Sequence, residues 1–183
     1  MLLLAACGSS SHSTTSASTA SGSTAPSAGN SNASGSGGGA GKAKADPCSL
    51  LTKDEATAAL SEQTDPGKTT DGPVPGCIYP ATNGAHLTDA VQLQVQDTLV
   101  FDGTLKAKDN PQVASAYTFE TVSGIGDQAF FQIPTTTGTA AAILLAFKKH
   151  GVAIYVSISN QNLSADQIKT ADRQLAVAAA GRV

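Results

Sequence analysis

Thirty-eight consecutive residues, 8–45, carry no Leu, Ile, Val, Met or aromatic side chain. Thirty-two of them are Ser, Gly, Ala or Thr, and the rest are His12, Pro26, Asn30, Asn32, Lys42 and Lys44. Ordering a residue costs roughly 1–2 kcal/mol of backbone entropy, and this stretch has almost no apolar surface to bury in return. The composition predicts a flexible coil, with a root-mean-square span of roughly 35 Å and a stretched reach of roughly 130 Å. The coil confines any fold to residues 46–183, where all eight aromatics lie. A segment of that size is one ordinary domain and can bury about two-thirds of its unfolded surface.

Composition then limits the partners. The formal net charge is -3, and residues 46–183 hold 14 acidic against 9 basic side chains. That balance lacks the basic footprint of a nucleic-acid binder, so no nucleic-acid partner is expected. No run of ~20 apolar residues offers a membrane-crossing helix. Three cysteines are too few for a mini-protein built on disulfides. The domain has only 23 charged residues, sparse against the usual ~25%.

The chain starts Met1-Leu2-Leu3-Leu4-Ala5-Ala6-Cys7-Gly8. Leu4-Ala5-Ala6-Cys7 resembles a bacterial lipobox, in which small residues admit the signal peptidase and the Cys sulfur takes a diacylglycerol. Residues 1–7 then read as a signal-peptide remnant ending on Cys7 as the lipidation site. Several acyl chains, at ~0.8 kcal/mol per buried methylene, anchor a protein stably. A signal peptide also needs a basic region and 7–15 apolar residues. Neither precedes Cys7, so the leader is expected to begin upstream of Met1. The alternative is an unprocessed N-terminus with a free thiol. With Cys7 lipidated, Cys48 and Cys77 remain, and an even pair in an exported domain favours a disulfide. A metal pair or a catalytic thiol competes with that reading, but CxxC spacing and further Cys or His neighbours are missing.

Periodicity outlines the domain. Thr52 and Glu55 form a capping box that opens a helix over 53–61. Loop residues rich in Thr, Gly and Pro run to Pro75, and Gly76–Pro80 reads as a short strand carrying Cys77. Thr82-Asn83-Gly84 is a turn. Over 90–98, Val91, Leu93 and Val95 alternate with Gln92, Gln94 and Gln96, the mark of a strand with one wet face and so of an antiparallel sheet. Residues 99–112 are ambiguous, since Gly103 weakens a helix there. Tyr117–Val122 and 128–133 are strands around a Gly124-Ile125-Gly126-Asp127 turn. A loop at 135–138 and strands at 140–147 and 152–158 follow, the last two joined through Lys148-Lys149-His150-Gly151. Ser164 and Gln167 cap a helix over 165–180, with Leu163 and Ile168 as its hydrophobic staple. Ile168, Ala171, Leu175 and Ala178 give its apolar stripe. The order implies an α+β domain: an antiparallel β-sheet with an N-terminal and a C-terminal helix packed on one face.

Catalytic motifs are wanting. His12 lies in the coil, His86 after a turn and His150 in a hairpin loop, none at metal-ligand spacing. There is no G-x-S-x-G elbow and no S-x-x-K motif. Gly124-Ile125-Gly126-Asp127 leads into a strand, so it lacks the helix N-terminus of a phosphate loop. No cofactor or metal is expected. Tyr79, Tyr117, Phe119 and Tyr155 are candidate lining residues for a pocket between sheet and helices, with Phe130 and Phe131 beside them, and core packing is the competing role. Phe130 and Phe131 face opposite sides of their strand, so one of them should be exposed or covered by a helix.

Asp46-Pro47-Cys48-Ser49-Leu50-Leu51-Thr52-Lys53-Asp54-Glu55-Ala56 resembles the start of a domain of unknown function in actinobacterial secreted lipoproteins. That pattern continues with a second Cys on a short strand, matched by Gly76-Cys77-Ile78-Tyr79, and a glycine turn, matched by Val122-Ser123-Gly124-Ile125-Gly126-Asp127-Gln128-Ala129. The resemblance spans most of 46–180 and implies a lipid-anchored envelope protein on the outer face of the cytoplasmic membrane. It implies no catalytic residues. A similar layout occurs in extracellular sensor domains of some mycobacterial kinases, but this chain has no kinase domain. The expected role is a binding or accessory module, not an enzyme, with the membrane as partner through Cys7 and an unidentified envelope ligand or protein. A membrane scaffold and, less favoured, an envelope hydrolase are the alternatives.

Overall fold

The computed structural model describes residues 46–82, 88–136 and 143–183. Cys7, His12, the coil at 8–45, the Asn83-Gly84 turn, His86, Gly138 and the start of the 140–147 strand lie outside the described residues.

The described residues form an α+β structure of seven antiparallel strands and four α-helices. A 3-10 turn, Pro47–Ser49, is capped by Asp46, whose carboxylate accepts from the Cys48 N–H. Helix α1, Lys53–Leu60, follows with both halves of the Thr52–Glu55 capping box formed. Ser61, in the left-handed region at φ 57°, ends it. Strands β1 (Lys68–Thr70), β2 (Gly76–Pro80) and β3 (Ala90–Gln96) make a first meander. Helices α2 (Thr98–Ala107) and α3 (Pro111–Ala116) carry the chain to the far edge. Strands β4 (Tyr117–Val122), β5 (Gln128–Pro134), β6 (Leu144–Lys149) and β7 (Val152–Ser159) return as a second meander. The order is β1-β2-β3-β7-β6-β5-β4, so β3 and β7 join the meanders at the centre, with Leu93 opposite Val156. Helix α4, Ala165–Ala180, closes the domain with the Ser164–Gln167 box complete.

Three elements differ from the sequence reading. β1 lies inside the expected loop, because Lys68, Thr69 and Thr70 have no apolar alternation and are a strand only by pairing with β2. The ambiguous stretch forms two helices, α2 capped by Asp97 and α3 capped by Asn110 with Pro111 in its first turn. The β6–β7 turn is tight, with His150 at φ 50° and Gly151 at φ 83°. Two successive positive φ angles match the right-handed twist of a hairpin.

Helical cover is not confined to one face. One core cluster joins Ala56, Ala59 and Leu60 of α1 and Ile168, Leu175, Ala176 and Ala179 of α4 to Leu93, Phe131, Leu145, Phe147, Ile154 and Val156. A second, on the other side of the pleat, holds Phe101 of α2 against Phe130, Ala146, Ala153 and Tyr155. The β3-to-β4 crossover lays α2 over that second face. Lys148 anchors it there, 2.8 Å from Asp102 and over the Phe101 ring. Phe130 and Phe131 do face opposite ways, and each is buried in its own cluster.

Cys48 and Cys77 form a disulfide with Cα atoms 5.1 Å apart, tying the 3-10 turn to β2. Beside it, Gly67 lies so close that a Cβ there would stand 2.8 Å from the Cys77 sulfur and 2.7 Å from the Tyr79 ring.

Candidate functional site

The aromatic candidates separate onto the two faces. Tyr79 is a core residue of the α1 side, and its hydroxyl donates to the Leu51 carbonyl at 2.6 Å and the Cys48 carbonyl at 3.2 Å. Those bonds pin the entry to α1 on β2, and burial pushes the phenol pKa up. Tyr155 is buried on the α2 side, and burial raises its pKa as well. Phe119 is half-buried there, its ring centroid 5.7 Å from that of Phe130. Tyr117, also half-buried, opens β4. The fold thus brings Phe119 and Tyr155 into one cluster and sends Tyr79 to the other. His150 sits in the β6–β7 turn with Nδ1 3.2 Å from the Val183 carbonyl oxygen.

Open space is found elsewhere. A cleft of about 330 Å³ runs between α1 and α4, lined by Ala58, Ser61, Leu163, Gln167 and Gln174 among others. A second, of about 480 Å³, lies between α4 and the β4–β5 turn, walled by Ser123, Ile125, Arg173 and Val177. Thr170 and Gln174 line both, so the outer face of α4 is the ridge between them. The Ser164 cap and the buried stripe fix the helix, and the 3.6-residue period turns Thr170, Gln174 and Val177 outward. Val177 is 54% exposed, which leaves the second cleft an apolar wall open to solvent. Arg173 holds one rim by donating to the Ser123 carbonyl at 3.1 Å. A third cleft of about 170 Å³ lies where Pro73, Val74 and Pro75 meet the start of α2, next to exposed Leu99 and Val100.

Groups with shifted ionisation mark catalytic sites because acid–base chemistry needs a matched pKa. Among the described residues Glu55, Tyr79, Tyr155, Asp172 and Arg182 have shifted ionisation, and none of these five lines the three clefts. Among the described residues no three His, Cys, Asp or Glu side chains come together as a metal site, and no helix is long and apolar enough to cross a membrane. The clefts can meet a ligand with apolar surface and with the polar groups of Asp166, Thr170 and Gln174.

Asp89 and Asp172 escape the sequence reading, both buried with carboxylate oxygens that lack a hydrogen-bond partner among the described residues. Asp172 is fully buried in the middle of the inward face of α4, one turn from both Ile168 and Ala176. Its carboxylate oxygens have no hydrogen-bond partner among the described residues, and burial pushes its pKa well above the usual 3.8. The signal was available, since position 172 is four after Ile168 and three before Leu175, squarely on the apolar stripe.

Comparison of the chain with protein-family models, with curated proteins and with solved structures finds no match in any of the three.

Proposed function

We propose that this chain is a lipid-anchored lipoprotein of the cell envelope whose domain at 46–183 is a binding or accessory module. The observation that carries the reading is the Cys48–Cys77 bond, since disulfides persist in exported proteins and are rare in a reducing cytosol. The Leu4-Ala5-Ala6-Cys7 sequence supplies an anchor, and the Ser/Gly-rich stretch behind it supplies reach. In this reading the module works on the outer face of the cytoplasmic membrane, as the likeness to actinobacterial lipoprotein domains suggests. Its ligand surface is the ridge of α4 with the clefts on either side, and α1 and α4 together make the face that carries it. Binding is favoured over hydrolysis because the chain carries no G-x-S-x-G or S-x-x-K motif.

Metabolic labelling with a fatty-acid probe tests the anchor. The product of the full-length precursor should carry the label and Cys7→Ser should lose it; an equal label on both would remove the anchor. A thermal-shift screen of envelope lipids, glycans and peptides tests the module, with a rise in Tm expected for a true ligand. Exposed Leu99 and Val100 favour a second reading, a protein scaffold at the membrane. Crosslinking in intact cells separates the two, because only the scaffold would be recovered joined to a partner protein.

A further inference from the structure

The two edges of the sheet are built differently. β1 has three residues, begins on Lys68 and lies between Pro66 and Pro73 in the sequence. Short strands, lysines and prolines are the usual defences of an edge. β4 has six residues, Tyr-Thr-Phe-Glu-Thr-Val, with neither proline nor lysine.

Register settles which backbone groups of β4 face outward. The Thr135 N–H donates to the Ala116 carbonyl at 2.9 Å, and the ladder continues with Thr118 opposite Ile133 and Glu120 opposite Phe131. Hydrogen-bonded pairs alternate along an antiparallel ladder. Thr118, Glu120 and Val122 therefore turn their N–H and C=O groups to β5, while Tyr117, Phe119 and Thr121 turn theirs to the free edge. The Tyr117 N–H is taken by the Val113 carbonyl. Those of Phe119 and Thr121 have no backbone partner among the described residues. Glu120 is the one charge on the strand, and Lys169 of α4 holds its carboxylate by two contacts of 2.9 Å. That pairing draws the charge to the α4 side, where it does not guard the edge.

We propose that β4 pairs antiparallel with β4 of a second copy of this chain, Phe119 opposite Phe119, so that one sheet runs through the dimer. Glu120 excludes one of the two neighbouring registers. The proposed register sets Thr118 against Glu120 of the partner subunit, and the Tyr117 carbonyl, whose own N–H Val113 takes, against the N–H of Thr121 of the partner subunit. The neighbouring register, Phe119 against Thr121, would set the two Glu120 side chains against each other, and like charges directly opposite are destabilising. It also stacks the half-buried Phe119 rings, extending the aromatic layer that Phe119 makes with Phe130. The register pairs five residues of each β4, 117–121, and so short a ladder buries less than the roughly 1,200 Å² of a stable interface, so the dimer is weak and depends on concentration. The inference does not depend on the lipid anchor.

Sedimentation of the full-length chain between roughly 5 and roughly 500 μM, with amide hydrogen exchange at both ends of the range, tests it. The mass should rise toward the dimer, and the Phe119 and Thr121 amides should slow by about tenfold or more, while Glu120, bonded to β5, stays protected throughout. Thr121→Pro removes an outward N–H and leaves the β5 ladder intact, so it should remain monomeric with an unchanged circular dichroism spectrum. If that variant does not fold, the wild-type exchange pattern decides. A constant monomer mass over the range, or a doubling of mass with no slowing at Phe119 and Thr121, overturns the proposal.

Discussion

The guanidinium of Arg182 grips the carboxylate of Glu55 through two contacts of 2.8 and 2.9 Å, joining the segment after α4 to the first turn of α1. The same guanidinium donates to the Leu50 carbonyl at 2.9 Å. Glu55 thus serves twice, accepting from the Thr52 N–H in the capping box and from Arg182. The Arg182 hydrogen bonds hold its carboxyl below its usual pKa, more than burial raises it.

Arg182→Ala should cost about 1 kcal/mol, the scale of a partly exposed bidentate pair, measured by urea unfolding at neutral pH. A carboxyl with a depressed folded pKa contributes stability above its unfolded value of 4.5, and loses it as pH falls through the folded value. The difference between wild type and variant should therefore shrink in acid. A constant difference down to pH 3 would contradict the ion-pair account.

Asp172→Asn should change the pH dependence in the opposite sense. A carboxyl whose folded pKa is raised binds its proton more tightly in the native state, so wild-type stability falls as pH climbs above about 3.8 toward the folded value. The elements packed on α4 carry Lys53, Asp54 and Glu55 on α1 and Lys148 and Lys149 on β6, with burial alone setting the shift. The Asn variant should equal or exceed wild type in Tm at pH 7 and lose the advantage near pH 4. Replacement by Leu should gain about 1–3 kcal/mol if the orphaned carboxyl is the dominant cost.

Reducing the Cys48–Cys77 bond should lower stability by about 3–4 kcal/mol for a sequence separation of 29, on the chain-entropy account. Mass spectrometry without reductant should recover the two peptides joined. Free thiols at both positions in protein from an oxidising compartment would refute the pairing.

Two glycines in one turn should respond unequally. Gly124 (φ 82°) and Gly126 (φ 56°) both occupy the left-handed region, where an L-residue costs about 1–2 kcal/mol. A Cβ at Gly124 meets nothing, whereas one at Gly126 would overlap the Lys148 carbonyl oxygen. That oxygen also accepts the Asp127 N–H at 2.8 Å. Gly124→Ala should cost about 1 kcal/mol and Gly126→Ala clearly more, by about 2 kcal/mol or above. Equal melting temperatures for the two would show that the turn relaxes freely.

What was legible beforehand follows the range of each interaction. The boxes Thr52–Glu55 and Ser164–Gln167 close within three residues, so α1 and α4 begin where the sequence places them. The Val91, Leu93, Val95 alternation needs only its own strand, and β3 buries those three. α2 was obscured because Phe101 is its one buried side chain, while Leu99 and Val100 point to solvent and Gly103 weakens the pattern. The candidate site was hardly legible at all. Tyr79 and Tyr155 read alike as strand aromatics, yet one is tied to Leu51 and the other packs near α2.

The sequence by itself determined where α1 and α4 begin, which face of β3 is buried, and that the cysteines at 48 and 77 suit a bond. These depend on composition and on contacts a few residues apart. Only the tertiary structure decided that β3 and β7 meet at the centre, that α2 covers the second face, and that β4 is left with open backbone groups. Strand alternation says that a sheet has two faces. It does not say which neighbour pairs or what covers each side, because those contacts join residues far apart in the chain. Their outcome rests on the packing of the whole domain.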